Sequence, residues 1–224
     1  MRFAIRSRAA IVVGVGGLLV IAVAVVAFVT NLGRGPASGS DECPEALPLA
    51  LVDEARGVAL CLPSNWREIR ADDDAAWREL YGEREADAER WIRDGTMDHF
   101  IVPLEPRDED PLVNLAIYSE AVEPATGLAE LREAYVSVLE STGSKVDVTT
   151  DVDLEASPAV LIEGERPRDS EGTLVVDRFL DWIVVHDDVA FYVLFASDRT
   201  FAYRYRSTFE AIANSVRFTD TPGE

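Results

Sequence analysis

Hydrophobic positions along the chain switch between two periods. Leu49 to Asp53 and Val58 to Leu62 alternate around Glu54-Ala55-Arg56-Gly57 and predict a first hairpin. Asp72 to Arg93 then carries Trp77, Leu80, Tyr81, Ala88, Trp91 and Ile92 at helical spacing, with Asp72, Asp73 and Asp74 where a helix start favours negative charge. Gly82 is the place to expect a break. Phe100 to Leu104 and Leu112 to Tyr118 read as strands joined by the loop Glu105 to Pro111. A second helix is expected over Leu128 to Thr142, with Leu128, Leu131, Tyr135, Val138 and Leu139 inward and Gly143 ending it.

The next segment alternates, with Val146, Val148, Val152 and Leu154 on one face and Lys145, Asp147, Asp151 and Asp153 on the other. Ala159 to Glu163 follows as a strand. Leu174 to Val185 and Val189 to Ala196 form an apolar hairpin turning at His186-Asp187-Asp188. Its second arm is apolar on both faces, which predicts a central strand covered on two sides. A last helix stripes Phe201, Tyr205, Phe209, Ile212 and Val216, and Arg217-Phe218 closes the domain. Hairpins joined by covering helices give an α+β fold, an α/β/α sandwich around a central, mostly antiparallel sheet.

A different pattern precedes this domain. Ala9 to Val29 carries no charge and follows Arg2, Arg6 and Arg8. Its about 21 residues, at about 1.5 Å each, just cross a hydrocarbon core of about 30 Å. Upstream arginines hold the N-terminus in the cytoplasm, so the remainder is expected outside, on a single-pass anchor. A cleaved signal peptide ending near Ala37-Ser38-Gly39 is the rival, against which the run is longer than an ordinary signal core. Cys43 is preceded by Gly-Ser-Asp-Glu, which is not a lipobox. The expected organisation is a cytoplasmic stub over 1–8, a transmembrane helix over 9–30, a flexible tether over 31–43, the folded domain over 44–220 and a tail over 221–224.

Charge and cysteines sharpen this placement. The chain has 21 basic and 41 acidic residues and a formal charge of −20. Four of the basic residues precede Asp41, the first acid, so the outer domain is more acidic still. Phosphate and anionic headgroups repel such a surface, which argues against nucleic acid as a partner and against a domain lying flat on the bilayer. Only Lys145 is a lysine, a bias that suits a high-GC bacterial source such as an actinobacterium. Cys43 and Cys61 are the two cysteines. An oxidising compartment favours a disulfide between them, closing a loop of about 18 residues worth about 3 kcal/mol, over a free or intermolecular thiol.

The run Gly57-Val58-Ala59-Leu60-Cys61-Leu62-Pro63-Ser64-Asn65-Trp66 resembles the opening G-x-x-x-x-x-P-x-x-W strand and turn of PsbP-like domains. The tail Ala213-Asn214-Ser215-Val216-Arg217-Phe218 is similar to the x-x-S-F-x-F ending of that superfamily, and the order of elements between them agrees. The superfamily includes photosystem extrinsic proteins, a Ran-binding protein and actinobacterial LpqN-type lipoproteins. The resemblance spans about Gly57 to Phe218. It implies the sandwich fold and binding of protein or small-molecule partners, and it supplies no shared catalytic residues.

Candidate chemistry is sparse. His186 beside Asp187 and Asp188 has the residue types of a base with an orienting carboxylate, but neighbours in a hairpin tip are expected to point apart, and the chain has no G-x-S-x-G elbow. His99 next to Asp98 has the types for a metal ligand pair, against which an exposed strand-edge imidazole is the expectation. Asp72-Asp73-Asp74 and Asp108-Glu109-Asp110 lack the D-x-D-x-D-G calcium pattern and read as helix-start and loop charge. No P-loop, Rossmann fingerprint or C-x-x-C occurs, so no catalytic residue, metal or cofactor is assigned.

Among the four tryptophans, Trp66 and Trp182 are the candidate binding residues. Trp66 follows the Pro63-Ser64-Asn65 turn and is placed at a pocket rim, while core packing is the default for the others. The functional expectation is a non-catalytic, membrane-anchored, extracytoplasmic binding or accessory domain of the bacterial cell envelope. Its partner would be an envelope protein or a small apolar ligand. The alternative is an extracytoplasmic hydrolase working through unidentified acidic residues. A third reading makes the chain an accessory subunit whose span packs through Ala10, Gly14 and Gly17.

Overall fold

A computed structural model describes residues 43–81, 87–104, 113–170 and 173–218. The stub, the anchor Ala9–Val29 and nearly all of the tether lie outside these residues, as do Gly82, Asp108-Glu109-Asp110 and the tail. Among the described residues no helix is long and apolar enough to cross a membrane.

The described residues form two antiparallel sheets and four helices. The smaller sheet is β1 (Leu49–Asp53), β2 (Val58–Leu62) and β10 (Arg217–Phe218), with β2 in the middle. The larger sheet runs β3 (Trp66–Glu68), β4 (His99–Pro103), β5 (Asn114–Ala121), β9 (Val189–Asp198), β8 (Thr173–His186), β7 (Pro158–Ser170) and β6 (Lys145–Asp153). The helices are α1 (Asp74–Tyr81), α2 (Asp87–Arg93), α3 (Leu128–Ser141) and α4 (Arg199–Asn214). Of the expected helix over 72–93, the described residues form α1 and α2, and the expected break at Gly82 lies outside them. Strand β3 was not foreseen, and β7 runs well past Glu163.

Alternation along the strands sorts side chains into two cores. Leu115 and Ile117 of β5, Trp182 of β8 and Phe195 of β9 face the smaller sheet and α4, meeting Leu60 and Phe209. On the opposite face α1 and α2 bring Trp77 and Trp91 onto Phe100 and Val102, and α3 brings Leu131, Tyr135 and Leu139 onto Ile162 and Ile183. Strand β9 lies fourth of seven and is buried on both faces, which is why its sequence is continuously apolar. Phe201 of the expected stripe has no described side chain, while Tyr205, Phe209 and Ile212 all join the core.

Turn chemistry follows the sequence closely. Asp187 and Asp188 both take positive φ, 47° and 59°, as a two-residue hairpin loop requires, and Asp tolerates that region better than most residues. Gly143 has φ +83° just beyond α3, where a left-handed residue ends the helix. The side chain of Asp53 accepts the N–H groups of Ala55 and Arg56 at 3.1 and 3.3 Å and shapes the β1–β2 turn. Asp73 caps α1 by accepting the N–H of Ala76 at 3.0 Å.

The alternation of β6 is broken by a bulge, which corrects the single-face reading. Register on β7 shifts between Val146 and Val148, leaving Asp147 as the extra residue. Val146 therefore faces α3, whereas Val152 packs on the opposite side of the sheet. One inserted residue exchanges the faces of everything beyond it. Asp147 turns outward to Lys145 at 2.6 Å and Arg178 at 2.7 Å.

Gly164 sits opposite Val146 at this bulge. A Cβ there would come within 3.0 Å of both the Lys145 carbonyl oxygen and the Phe179 ring. Because one obstacle is backbone, Gly164→Ala is expected to cost about 3 kcal/mol by overpacking, read as a lowered urea midpoint at unchanged slope.

Candidate functional site

Among the described residues, a cluster of mostly buried polar side chains centres on His99. Three inward-facing core positions set the phase: Trp66 on β3, Ile101 on β4 and Ile117 on β5. Two residues away on each strand, after Trp66 and Ile117 and before Ile101, the same face carries Glu68, Ser119 and His99. The β1–β2 turn covers them and adds Asp53 and Arg56, and Asp98 immediately precedes β4. His99 is 1% exposed, not a surface imidazole as expected from sequence.

Both ring nitrogens of His99 are engaged. Nδ1–H donates to Glu68 Oε1 at 2.6 Å, and Nε2–H donates to Asp53 Oδ2 at 3.1 Å. Burial alone would push the imidazole down in pKa, but the hydrogen bonds and charges of Asp53 and Glu68 together prevail and hold it at about 9. His99 is therefore an imidazolium at neutral pH. It joins Asp53 of the smaller sheet to Glu68 of the larger one.

Asp98 completes the cluster. Burial raises its pKa to about 6, against the opposing charge of Arg56 and a hydrogen bond from Ser119. Arg56 Nη2 lies 2.6 Å from Asp98 Oδ1, Ser119 Oγ donates to Asp98 Oδ2 at 2.7 Å, and Arg56 Nη1 donates to Ser119 Oγ at 2.6 Å. Arg56, Glu68 and Ser119 reach solvent while Asp53, Asp98 and His99 are buried, so the cluster is closed inside and wet at its rim.

His99 itself is placed neither to act as a general base nor to share an ion with its two carboxylates. A general base needs a free lone pair, and protonated His99 has none. Its two nitrogens point in opposite directions, so Asp53, Glu68 and His99 share no common centre for an ion. Among the described residues no group of three or more His, Cys, Asp or Glu is arranged to hold a metal.

A second buried polar group lies on the other face of the sheet. Tyr135 of α3 donates to Asp181 Oδ2 at 2.8 Å, and Arg166 Nη2 stands 3.8 Å from the same oxygen while stacking over Phe179. Burial raises the Asp181 carboxyl to about 7, opposed by Arg166 and the Tyr135 hydrogen bond. Closer to α4, Arg206 donates two N–H bonds, at 2.7 and 2.6 Å, to the buried carboxylate of Glu163.

The residues singled out from sequence are placed as follows. Trp66 and Trp182 are both 2% exposed. Trp66 sits edge-on to Tyr205 and Phe209, at 6.3 and 6.2 Å, inside the core instead of at a rim, and Trp182 packs edge-on to Phe195 at 5.4 Å. His186 approaches Asp187 after all, with Nε2 3.3 Å from Oδ2, and its ring stacks on Phe218 at 4.2 Å, tying the hairpin turn to β10. Asp72 and Asp74 pair separately with Arg70 and Arg78. Cys43 and Cys61 form a disulfide. A shallow cleft of about 300 Å³ lies between α3 and β6, lined by Leu128, Arg132, Asp151, Val152 and Pro158, with Arg132 paired to Asp151 at 3.2 Å.

Comparison with known proteins places the fold. The structure is similar to cyanobacterial PsbP (CyanoP) from Synechocystis sp. PCC 6803, at a TM-score of 0.52 and 13% identity, over 82% of this chain and 99% of that one. The fold is PsbP-like. LpqN, involved in cell envelope biogenesis of Mycobacterium tuberculosis, aligns at a TM-score of 0.49 and 11% identity, over 72% of this chain and 83% of that one. At these identities the likeness describes the fold alone. No protein-family model matches the chain, and no curated protein matches its sequence.

Ser215, the serine of the PsbP-like tail, has a visible task. Its hydroxyl accepts the N–H of Cys61 at 2.9 Å and donates to the Ile212 carbonyl at 2.7 Å, joining the end of α4 to β2.

Proposed function

We propose that this chain is a membrane-tethered, extracytoplasmic accessory domain of a bacterial cell envelope that docks a protein partner and carries out no catalysis. The observation that carries the reading is the Cys43–Cys61 bridge, placed where the polar tether meets the folded domain. Disulfides persist in oxidising compartments, and this one pins the entering chain to the central strand of the smaller sheet. The charge-free run Ala9–Val29 behind three arginines supports the same topology.

Two further features support docking over turnover. The buried histidine is an imidazolium with both N–H groups committed. The cleft beside α3 is lined by charged and apolar side chains together, Arg132 and Asp151 beside Leu128 and Val152, the mixed surface that a protein partner can cover.

Topology is tested by adding protease to intact spheroplasts. The domain is expected to be shaved off without permeabilisation, and crosslinking in native membranes is expected to trap a partner that survives detergent. A domain protected until the membrane is opened would overturn the topology, and substrate turnover lost on replacing a single carboxylate would overturn the docking role.

A further inference from the structure

The Cys43–Cys61 bridge is chemically lopsided. Cys61 is 0% exposed near the end of β2, with its backbone N–H held by Ser215. Cys43 is half-buried and lies ahead of the first strand. The guanidinium of Arg217 stands closer to one sulfur than to the other: Nη2 is 3.1 Å from Cys61 Sγ and 3.7 Å from Cys43 Sγ.

In thiol–disulfide exchange a thiolate attacks one sulfur and expels the other. Access chooses the sulfur attacked, and a leaving thiol of lower pKa departs faster. An adjacent arginine lowers a thiol pKa by stabilising its thiolate. Here access selects Cys43 and charge selects Cys61, so both factors point in one direction.

We propose that this bridge is an exchange site for low-molecular-weight thiols, which form a mixed disulfide at Cys43 and expel the Cys61 thiolate onto Arg217. The electron pair of the incoming thiolate makes the new bond to Cys43 Sγ. The Cys43–Cys61 bond breaks and its pair leaves on Cys61 Sγ, so one disulfide is exchanged for another with no net electron transfer. A second thiol attacking the adduct leaves both cysteines reduced and carries away the small-molecule disulfide. Leu47, 4% exposed in the core, still anchors the chain a few residues on, so exchange frees only the entry segment. This inference does not depend on the membrane reading.

The test exposes the full-length chain in detergent to reduced glutathione, quenches early with N-ethylmaleimide and locates both groups by peptide mass spectrometry. Glutathione on Cys43 with maleimide on Cys61 is expected in the native sequence. Arg217→Gln is expected to slow opening about threefold or more, and Arg217→Lys to slow it less. Adduct found mainly on Cys61 or evenly on both cysteines would overturn the proposal, with no variant needed. An Arg217→Gln rate equal to or above the native one would overturn the role of Arg217.

Discussion

Replacing His99 by glutamine is expected to cost the domain about 3 kcal/mol near pH 6 and far less above pH 9. The pKa of the imidazole is about 9 in the folded domain against an ordinary 6.5, so the folded state binds this proton more tightly than the unfolded chain. Such a group contributes its full stabilisation below pH 6.5 and loses it as pH rises through 9. A difference of roughly two and a half units corresponds to about 3 kcal/mol, consistent with the cost of leaving buried charge unpaired once one partner is removed. Glutamine keeps a hydrogen bond and carries no charge.

The carboxyls act in the same sense at lower pH. Asp98 and Asp181 are raised to about 6 and about 7, so the stabilisation from their protonated forms is complete below 3.8 and is lost as pH rises through those values. Urea unfolding followed by tryptophan fluorescence at pH 6, 7.5 and 9 checks the pattern. The native chain is expected to weaken steadily across this range, and His99→Gln to weaken much less above 6.5. Parallel slopes would refute the charge account.

The second large effect concerns the indoles. Trp66→Ala and Trp182→Ala are each expected to cost about 4 kcal/mol, because each removes a fully packed ring from the face shared with α4 and the smaller sheet. Trp66 matters doubly, since its contacts with Tyr205 and Phe209 join the short edge strand β3 to α4. The check is a denaturation midpoint beside partner capture normalised to folded protein. Loss of midpoint with capture intact is expected. An unchanged midpoint with capture lost would return these residues to a binding surface.

Much of the fold was legible because burial imposes period. The apolar run of β9, the stripes of α3 and α4, the Asp187-Asp188 turn and the Gly143 stop each follow from a local rule that the tertiary structure leaves standing. The bulge at Asp147 was illegible, since an inserted residue changes which face a side chain takes without disturbing the letters. Strand β3 is only three residues long and has no period to read.

The His99 cluster was missed for a related reason. Glu68, His99 and Ser119 each stand two residues from an inward core position, so their phase was present in the sequence. Their meeting depends on the β3–β4–β5 register and on the β1–β2 turn folding over them, which are long-range facts. Burial ordinarily disfavours a charged imidazole. Two carboxylates overcome that penalty, and both lie on strands far from His99 in sequence.

The central claim is that His99 is a closed, charged link between the two sheets and not a reactive base. NMR titration of the imidazole nitrogens tests it most directly. The account predicts two protonated nitrogens with slowly exchanging protons up to pH 8 and a midpoint near 9. A midpoint near 6.5, or a neutral ring with one free nitrogen at pH 7.5, would contradict it.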